Sequence, residues 1–293
     1  MSNAALDAAG IRDPALRASY EACRRLNASH GKTYYLATLL LPAWKRPYVH
    51  ALYGFARYAD EIVDDLGSTL TDAEKADWLI GWGAQFVTDV EAGGSDHPIS
   101  RAVVDTVRRW DIPMAHIEAF LHSMRMDLTV TSYQTYDELM VYVHGSAAVI
   151  GLEMVPVLEP VVPREVAEPY AADLGVAFQL SNFIRDVGED LLRGRVYLPM
   201  EDLAAFGVTR KHLQHGVVDG PVRRLLAFEV ARTREIYRSA GQGVRLLHPT
   251  SRPCIETALA LYGGILDEVE RAEITGHAAD RAADDGELGD HGR

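Results

Sequence analysis

The sequence predicts an all-α protein built as a single domain. Three observations carry that prediction. Apolar residues recur at three- and four-residue spacing, as in Ile117, Phe120, Leu121 and Met124, or Leu225, Leu226 and Val230, which gathers them on one face of a helix. Pro14, Pro47, Pro98, Pro113, Pro163, Pro221 and Pro253 each stand just ahead of such a run, where the missing N–H costs no helix bond. Alternating strand patterns are scarce, and no Gly/Ser linker or short-period repeat divides the chain.

Taken in order, the periodic runs predict helices near residues 14–28, 33–42, 47–66, 71–92, 98–110, 113–130, 135–158, 163–191, 221–247 and 253–272. Residues 192–220 read as loop with a short helical turn at 200–206. The domain is expected to span 1–273. Residues 274–293, rich in Ala, Asp and Gly, are expected to form a disordered acidic tail. Two runs, Leu36 to Pro42 and Ala147 to Leu158, have little polar face. Helices of that kind sit at the centre of a bundle or line an apolar cavity, a feature that suits a long hydrocarbon ligand.

With 293 residues, 48% of them hydrophobic, the chain can bury a large core. Its net charge of −13 argues against nucleic acid as a partner, because phosphate backbones demand a basic face. Acidity fits a protein that concentrates metal ions and meets anionic ligands through them. Cys23 and Cys254 lack zinc or redox spacing, so a reducing compartment is expected. The first residues have neither a basic region nor an apolar stretch of the secretory kind. No run approaches the about 18 uninterrupted apolar residues of a membrane span. A cytoplasmic location follows, with peripheral contact at the inner face of a membrane left open.

The chemistry concentrates in two stretches. In the first, Asp60 and Asp64 are four apart, with Arg57 just before them. Their neighbours Leu52, Phe55, Tyr58, Ile62 and Val63 are apolar, so the helix is expected to be mostly buried. Buried carboxylates without compensation are expensive, which places metal ligation ahead of a plain solvated face. Arg57 is either an ion-pair partner or a guanidinium fork for a diphosphate. In the second stretch, Asp186 and Asp190 are again four apart, Asn182 lies on the same stripe, and Gln179 and Arg185 crowd beside it. Stacked oxygen ligands of this kind suit a hard divalent cation carrying a phosphate. Arg195 and Tyr197 either cap the helix end or fold over an anion. His30, Lys32 and Thr33 either start a helix, with Thr33 as N-cap, or contact a phosphate at its N-terminus. Tyr142 through Gly151 places small residues within a helical run. Close helix packing is one reading, and a kinked helix aiming Tyr142 inward is the other. No Gly-x-Ser-x-Gly elbow or His-Glu-x-x-His is present, and the paired glycines lack the dinucleotide fingerprint, so no nicotinamide cofactor is expected.

These stretches resemble the squalene/phytoene synthase family. Gln179-Leu-Ser-Asn-Phe-Ile-Arg-Asp-Val-Gly-Glu-Asp190, followed by Arg193-Gly-Arg-Val-Tyr-Leu-Pro199, resembles its second aspartate signature, in a form most like the bacterial phytoene synthases. Tyr53 through Asp64 resembles the first signature, and Tyr142 through Gly151 the mid-chain glycine motif. The match runs from about His30 to about Glu270. The resemblance implies an isoprenoid-synthase helical bundle with a central apolar channel. It implies head-to-head condensation of two geranylgeranyl diphosphates to phytoene through a cyclopropyl diphosphate. It implies Mg²⁺, or Mn²⁺ in its place, on Asp60, Asp64, Asn182, Asp186 and Asp190. His30, Thr33, Tyr53, Arg57, Gln179, Asn182, Arg185, Arg195 and Tyr262 would contact the prenyl diphosphates, and Tyr142 and Tyr197 would sit near the reacting centre.

One departure stands out. Where the family carries a basic C-terminal segment, this chain has Glu270-Arg-Ala-Glu leading to Asp284, Asp285, Glu287 and Asp290, which implies looser closure over the site. The rival readings are a C15 enzyme making presqualene diphosphate, squalene or dehydrosqualene, and a non-catalytic scaffold of the same fold. A terpene cyclase or hydrolase using the same metal chemistry is less favoured, because both signatures carry the synthase form.

Overall fold

Short polar caps and a continuous apolar interior set the helix boundaries. The computed structural model describes the backbone of residues 3–64 and 69–287, and the side chains of residues 4–63 and 69–271. The helices run in the order α1 (Asn3–Ala8), α2 (Pro14–His30), α3 (Lys32–Thr38), α4 (Arg46–Asp64), α5 (Asp72–Ala92), α6 (Ser100–Trp110), α7 (Met114–Met126) and α8 (Tyr136–Val143). A π-helical turn (His144–Ala148) joins α8 to α9 (Val149–Leu158). Then follow α10 (Arg164–Arg185), α11 (Val187–Leu192), α12 (Met200–Ala205), α13 (Arg210–Gln214), α14 (Gly220–Gly241), a 3₁₀ turn (Val244–Leu246) and α15 (Arg252–Glu287). Among the described residues there is no β-strand, only two isolated bridges.

The caps are those expected from sequence chemistry. Asp13 accepts from Leu16 N at 2.7 Å, Thr71 and Glu74 form a reciprocal capping box, and Thr135 and Asp219 accept from the N–H groups of Glu138 and Val222. Around α4 the core is aromatic. Phe55 stacks on Trp82 at 4.6 Å and meets Phe86 at 4.8 Å and Phe120 at 5.8 Å, joining α4, α5 and α7. Lys45, 0% exposed, bonds Ser251 at 2.9 Å and pairs with Glu159 at 2.7 Å, so a buried cation ties the start of α4 to two distant loops.

The structure departs from the sequence reading at several boundaries. The run at 135–158 is one helical path interrupted by the π turn, and the run at 163–191 is broken at Asp186, whose ψ of 12° leaves the helical range. α3 ends at Thr38, with Leu39 and Leu40 in a turn. The loop at 192–220 contains the expected turn as α12, and also α13, five residues capped by Thr209 and too short to show a period. α15 continues past the expected domain boundary at 273 to Glu287. Its extra turns carry four alanines, Ala278, Ala279, Ala282 and Ala283, the strongest helix former. The side chains of Asp284, Asp285, Glu287 and Asp290 lie outside the described ones. The path Tyr136–Leu158 is long and apolar enough to cross a membrane, but 61% of its most apolar window is buried inside the bundle, as a core helix must be.

Candidate active site

The site grows from the way α3, α4, α9, α10 and α15 enclose an apolar cavity of ≈ 260 Å³. α4 contributes Val49, Tyr53 and Ala56 to its wall, and α10 contributes Leu174, Gly175, Phe178 and Gln179. Small residues make the enclosure close. A Cβ on Gly151 would overlap the Ala171 carbonyl oxygen, and one on Gly175 would overlap the Ala147 carbonyl oxygen. The helices therefore meet backbone to backbone only because these positions are glycine. Gly145 is packed in the same way against Ala119. The small residues of the mid-chain motif thus serve close packing, and Ser146, Ala147, Ile150 and Gly151 also line the cavity.

One end of the cavity is ringed by tyrosine and phenylalanine. Tyr34 meets Tyr53 at 6.0 Å, Phe178 at 5.9 Å and Tyr262 at 4.7 Å, and Phe178 stacks on Tyr262 at 4.3 Å. Burial pushes the Tyr53 phenol up to about 12, so these rings stay neutral. Gly31 leaves room for the Tyr53 ring, since a Cβ there would stand 2.5 Å from it.

The carboxylates follow directly beyond this collar on both walls. On α4, Arg57 and Asp60 lie one to two turns past Tyr53. Arg57 donates to Asp60 at 2.5 Å and to Glu61 at 3.3 Å, and His30 Nε2 stands 3.1 Å from Glu61. On α10, Asn182 lies three residues past Gln179. The backbone bonds Asp186 N→Asn182 O (2.8 Å) and Asp190 N→Asp186 O (2.9 Å) carry the stripe through the break at Asp186. Arg185 grips Asp186 with two bonds of 2.6 Å, a bidentate fork that raises the arginine further. Asp60 is 38% and Asp186 27% exposed. The expectation that the first stripe is buried without compensation is therefore corrected: its described carboxylates are half-exposed and already paired. The side chain of Asp64 lies outside the described ones.

Thr33 sits in the first turn of α3, but Gly31 is the N-cap and no side chain caps that end, which corrects the N-cap reading of Thr33. Tyr142 and Tyr197 lie elsewhere than the cavity wall. They belong to a buried cluster with Tyr133 and Phe183, where Phe183 stacks on Tyr197 at 4.2 Å. Tyr142 donates to Asp127 Oδ2 at 2.6 Å and Tyr197 to Oδ1 at 2.8 Å. Burial first, then the Asp127 charge, holds both phenols well above their ordinary range. Arg195 donates to the Asp127 carbonyl at 3.1 Å, bracing the same cluster. Asp127 is the residue that sequence reasoning missed. Its only signal was an acid one turn past the apolar run Ile117–Met124.

A divalent ion tests this donor set on its chemistry. The side chains available, Asp60, Glu61, Asn182, Asp186 and Asp190, are all oxygen ligands, and the first, second and fourth are reachable from solvent, as a hard cation requires. Among the described residues no group of three His, Cys, Asp or Glu is placed to hold an ion as it stands. The donors fit by type, with each described stripe engaged by its own arginine.

An all-α bundle with an apolar cavity, an aromatic collar and paired acid–arginine stripes defines a protein of the isoprenoid-synthase type. Residues 27–282 match the squalene/phytoene synthase family model. The phytoene synthase of Arthrospira platensis is 39% identical over 90% of this chain and 88% of its own. The 15-cis-phytoene synthase of Synechocystis sp. is 38% identical over 86% and 77%. A solved dehydrosqualene synthase in complex with ligand superposes with a TM-score of 0.81 at 25% identity, covering 88% of each chain. The chain belongs to the squalene/phytoene synthase family.

Proposed function

We propose that this chain is a Mg²⁺-dependent prenyltransferase that condenses two geranylgeranyl diphosphates head to head, giving phytoene for carotenoid biosynthesis. The observation that carries the reading is the apolar cavity whose two principal walls, α4 and α10, each pass through the aromatic collar into an acid–arginine stripe. The relatives named as phytoene synthases support the C20 substrate.

Asp60, Asp64, Asn182, Asp186 and Asp190 would hold the ions, which supply Lewis-acid charge to the departing diphosphate. With ions held there, Arg57 and Arg185 would be free to turn their guanidinium forks from Asp60 and Asp186 to diphosphate oxygens. Loss of the first diphosphate leaves an allylic cation. It is attacked by the double bond of the second substrate, and proton loss closes a cyclopropyl diphosphate. Loss of the second diphosphate, rearrangement and a further proton loss give phytoene. Faces of Tyr34, Tyr53 and Tyr262 at the collar stabilise passing positive charge. The apolar lining keeps water away from the cations. The Asp127-anchored tyrosines hold Phe183 in place, and with it the turn of α10 that carries Asn182.

The test is Asp186→Ala. Turnover with geranylgeranyl diphosphate is expected to fall by about 10²–10³-fold, as when one electrostatic stabiliser is removed, with far-ultraviolet circular dichroism unchanged. Full turnover by a folded D186A protein would refute the assignment.

A further inference from the structure

Arg57 and Arg185 each serve an acid stripe, but they are tied differently. Arg185 gives both edges of its fork to one carboxylate, Nε to Asp186 Oδ1 and Nη2 to Oδ2, each at 2.6 Å. Arg57 divides its fork between two carboxylates, Nη1 to Asp60 Oδ2 at 2.5 Å and Nε to Glu61 Oε1 at 3.3 Å. The same Glu61 oxygen stands 3.1 Å from His30 Nε2. Glu61 follows Arg57 by one turn of α4, while His30 is the last residue of α2. One carboxylate oxygen thus joins two helices. The next residue, Gly31, lies so close to the Tyr53 ring, one turn before Arg57, that a Cβ would not fit. The end of α2 is therefore pinned to α4 at two points about two turns apart, one by packing and one through Glu61.

We propose that Glu61 is a positioning residue, which presents Arg57 and His30 together to a substrate diphosphate and is not a ligand of the metal. The inference rests on the prenyl-condensing reading. When ions engage Asp60 and Asp186, Arg185 loses both of these bonds at once and its fork is released whole. Arg57 loses one and keeps the other. Held by Nε, its guanidinium has its Nη edge left for phosphate oxygens. His30, held by Nε2, stays at the same mouth. Two donors from two helices are then in place before the diphosphate arrives, so less ordering is left to be done on binding. Glu61 matches a metal ligand by atom type, but a cation on its Oε1 would displace both donors and untie the end of α2 from α4.

The test reads ligand binding rather than turnover. Inorganic pyrophosphate is titrated by calorimetry into the full chain with Mg²⁺, and Mn²⁺ binding without pyrophosphate is followed by electron paramagnetic resonance. Glu61→Ala is expected to weaken pyrophosphate binding about tenfold and to leave Mn²⁺ binding unchanged. Glu61→Gln keeps an acceptor oxygen for both donors and should recover most of the affinity. On top of Arg57→Met, Glu61→Ala should cost clearly less than in wild type, whereas on top of Arg185→Met it should cost the full amount. Thermal unfolding should move little, because part-exposed ion pairs add little stability. The proposal is overturned if Glu61→Ala binds pyrophosphate as wild type does, or if it loses Mn²⁺, which would make Glu61 a ligand. It is equally overturned if the loss is the same with and without Arg57, or if it comes with a collapse of the melting temperature that Glu61→Gln shares. All of these outcomes leave the condensation reading standing. A wild type that binds Mn²⁺ but no pyrophosphate overturns that reading and this proposal together.

Discussion

Replacing Asp127 with asparagine removes one charge and leaves the shape almost unchanged. Asp127, Tyr142 and Tyr197 are 9%, 3% and 7% exposed, so water offers little compensation. Each phenol now donates to a carboxylate oxygen, at 2.6 and 2.8 Å. Hydrogen bonds to charged groups contribute about 1.5–3 kcal/mol each. Asparagine keeps one acceptor oxygen, worth about 1 kcal/mol as a neutral bond, and turns an NH₂ toward the other phenol, whose own proton then lacks a partner. The expected loss is about 2–4 kcal/mol, a large part of the about 5–15 kcal/mol that holds a domain folded. Urea unfolding of the wild type, Asp127→Asn, Tyr142→Phe and the double variant measures it. The two single changes should couple by about 1 kcal/mol or more. Turnover should fall mainly in kcat, because the cluster positions Phe183 and the neighbouring Asn182. Stability of D127N within about 0.5 kcal/mol of wild type, or strict additivity, would refute the reasoning.

Glu153 is 2% exposed, its Oε1 has no partner, and burial lifts its carboxyl from 4.5 to about 8. The folded state therefore holds the proton more tightly than the unfolded one, and stability should fall as pH rises from about 4.5 to 8. Glu153→Gln should flatten that slope and gain up to a few kcal/mol near pH 8, read by urea midpoints across pH. Part of the slope should persist, since burial raises Glu229 in the same way. Gly151→Ala forces a Cβ onto the Ala171 carbonyl, so a loss of about 1–3 kcal/mol is expected in thermal unfolding, with no effect marking a wall softer than described. Ala258→Phe fills part of the cavity it lines. Turnover of a C20 diphosphate should drop more than that of a C15 diphosphate, and equal losses would contradict the channel.

The helices were legible because their periodicity, prolines and caps agree, and burial of one face then fixes the bundle. The spacing of the second acid stripe was legible too, and the backbone bonds Asp186 N→Asn182 O and Asp190 N→Asp186 O keep its four-residue rise through the break at Asp186. The pairing of Arg57 with Asp60 and Glu61 was one of the two readings its spacing left open. The fork of Arg185 on Asp186 was not legible, because it depends on a side-chain rotamer that spacing does not set. Asp127 was missed because its partners lie 15 and 70 residues away and only the fold brings them together. The bond from Tyr142 to the Asp127 carboxylate within the tyrosine cluster was not legible, because the spacing of residues 142–151 says nothing of a partner outside that run. The extension of α15 escaped because a polar, Ala-rich run has no apolar face to betray it.

The most direct measurement is the product formed when the purified chain meets labelled geranylgeranyl diphosphate and Mg²⁺, resolved by chromatography with and without a chelator. A labelled C40 hydrocarbon co-migrating with phytoene, formed without NADPH and lost on chelation, is the result expected. No C40 product, or hydrocarbon formed only from the C15 diphosphate, would contradict the reading of this cavity.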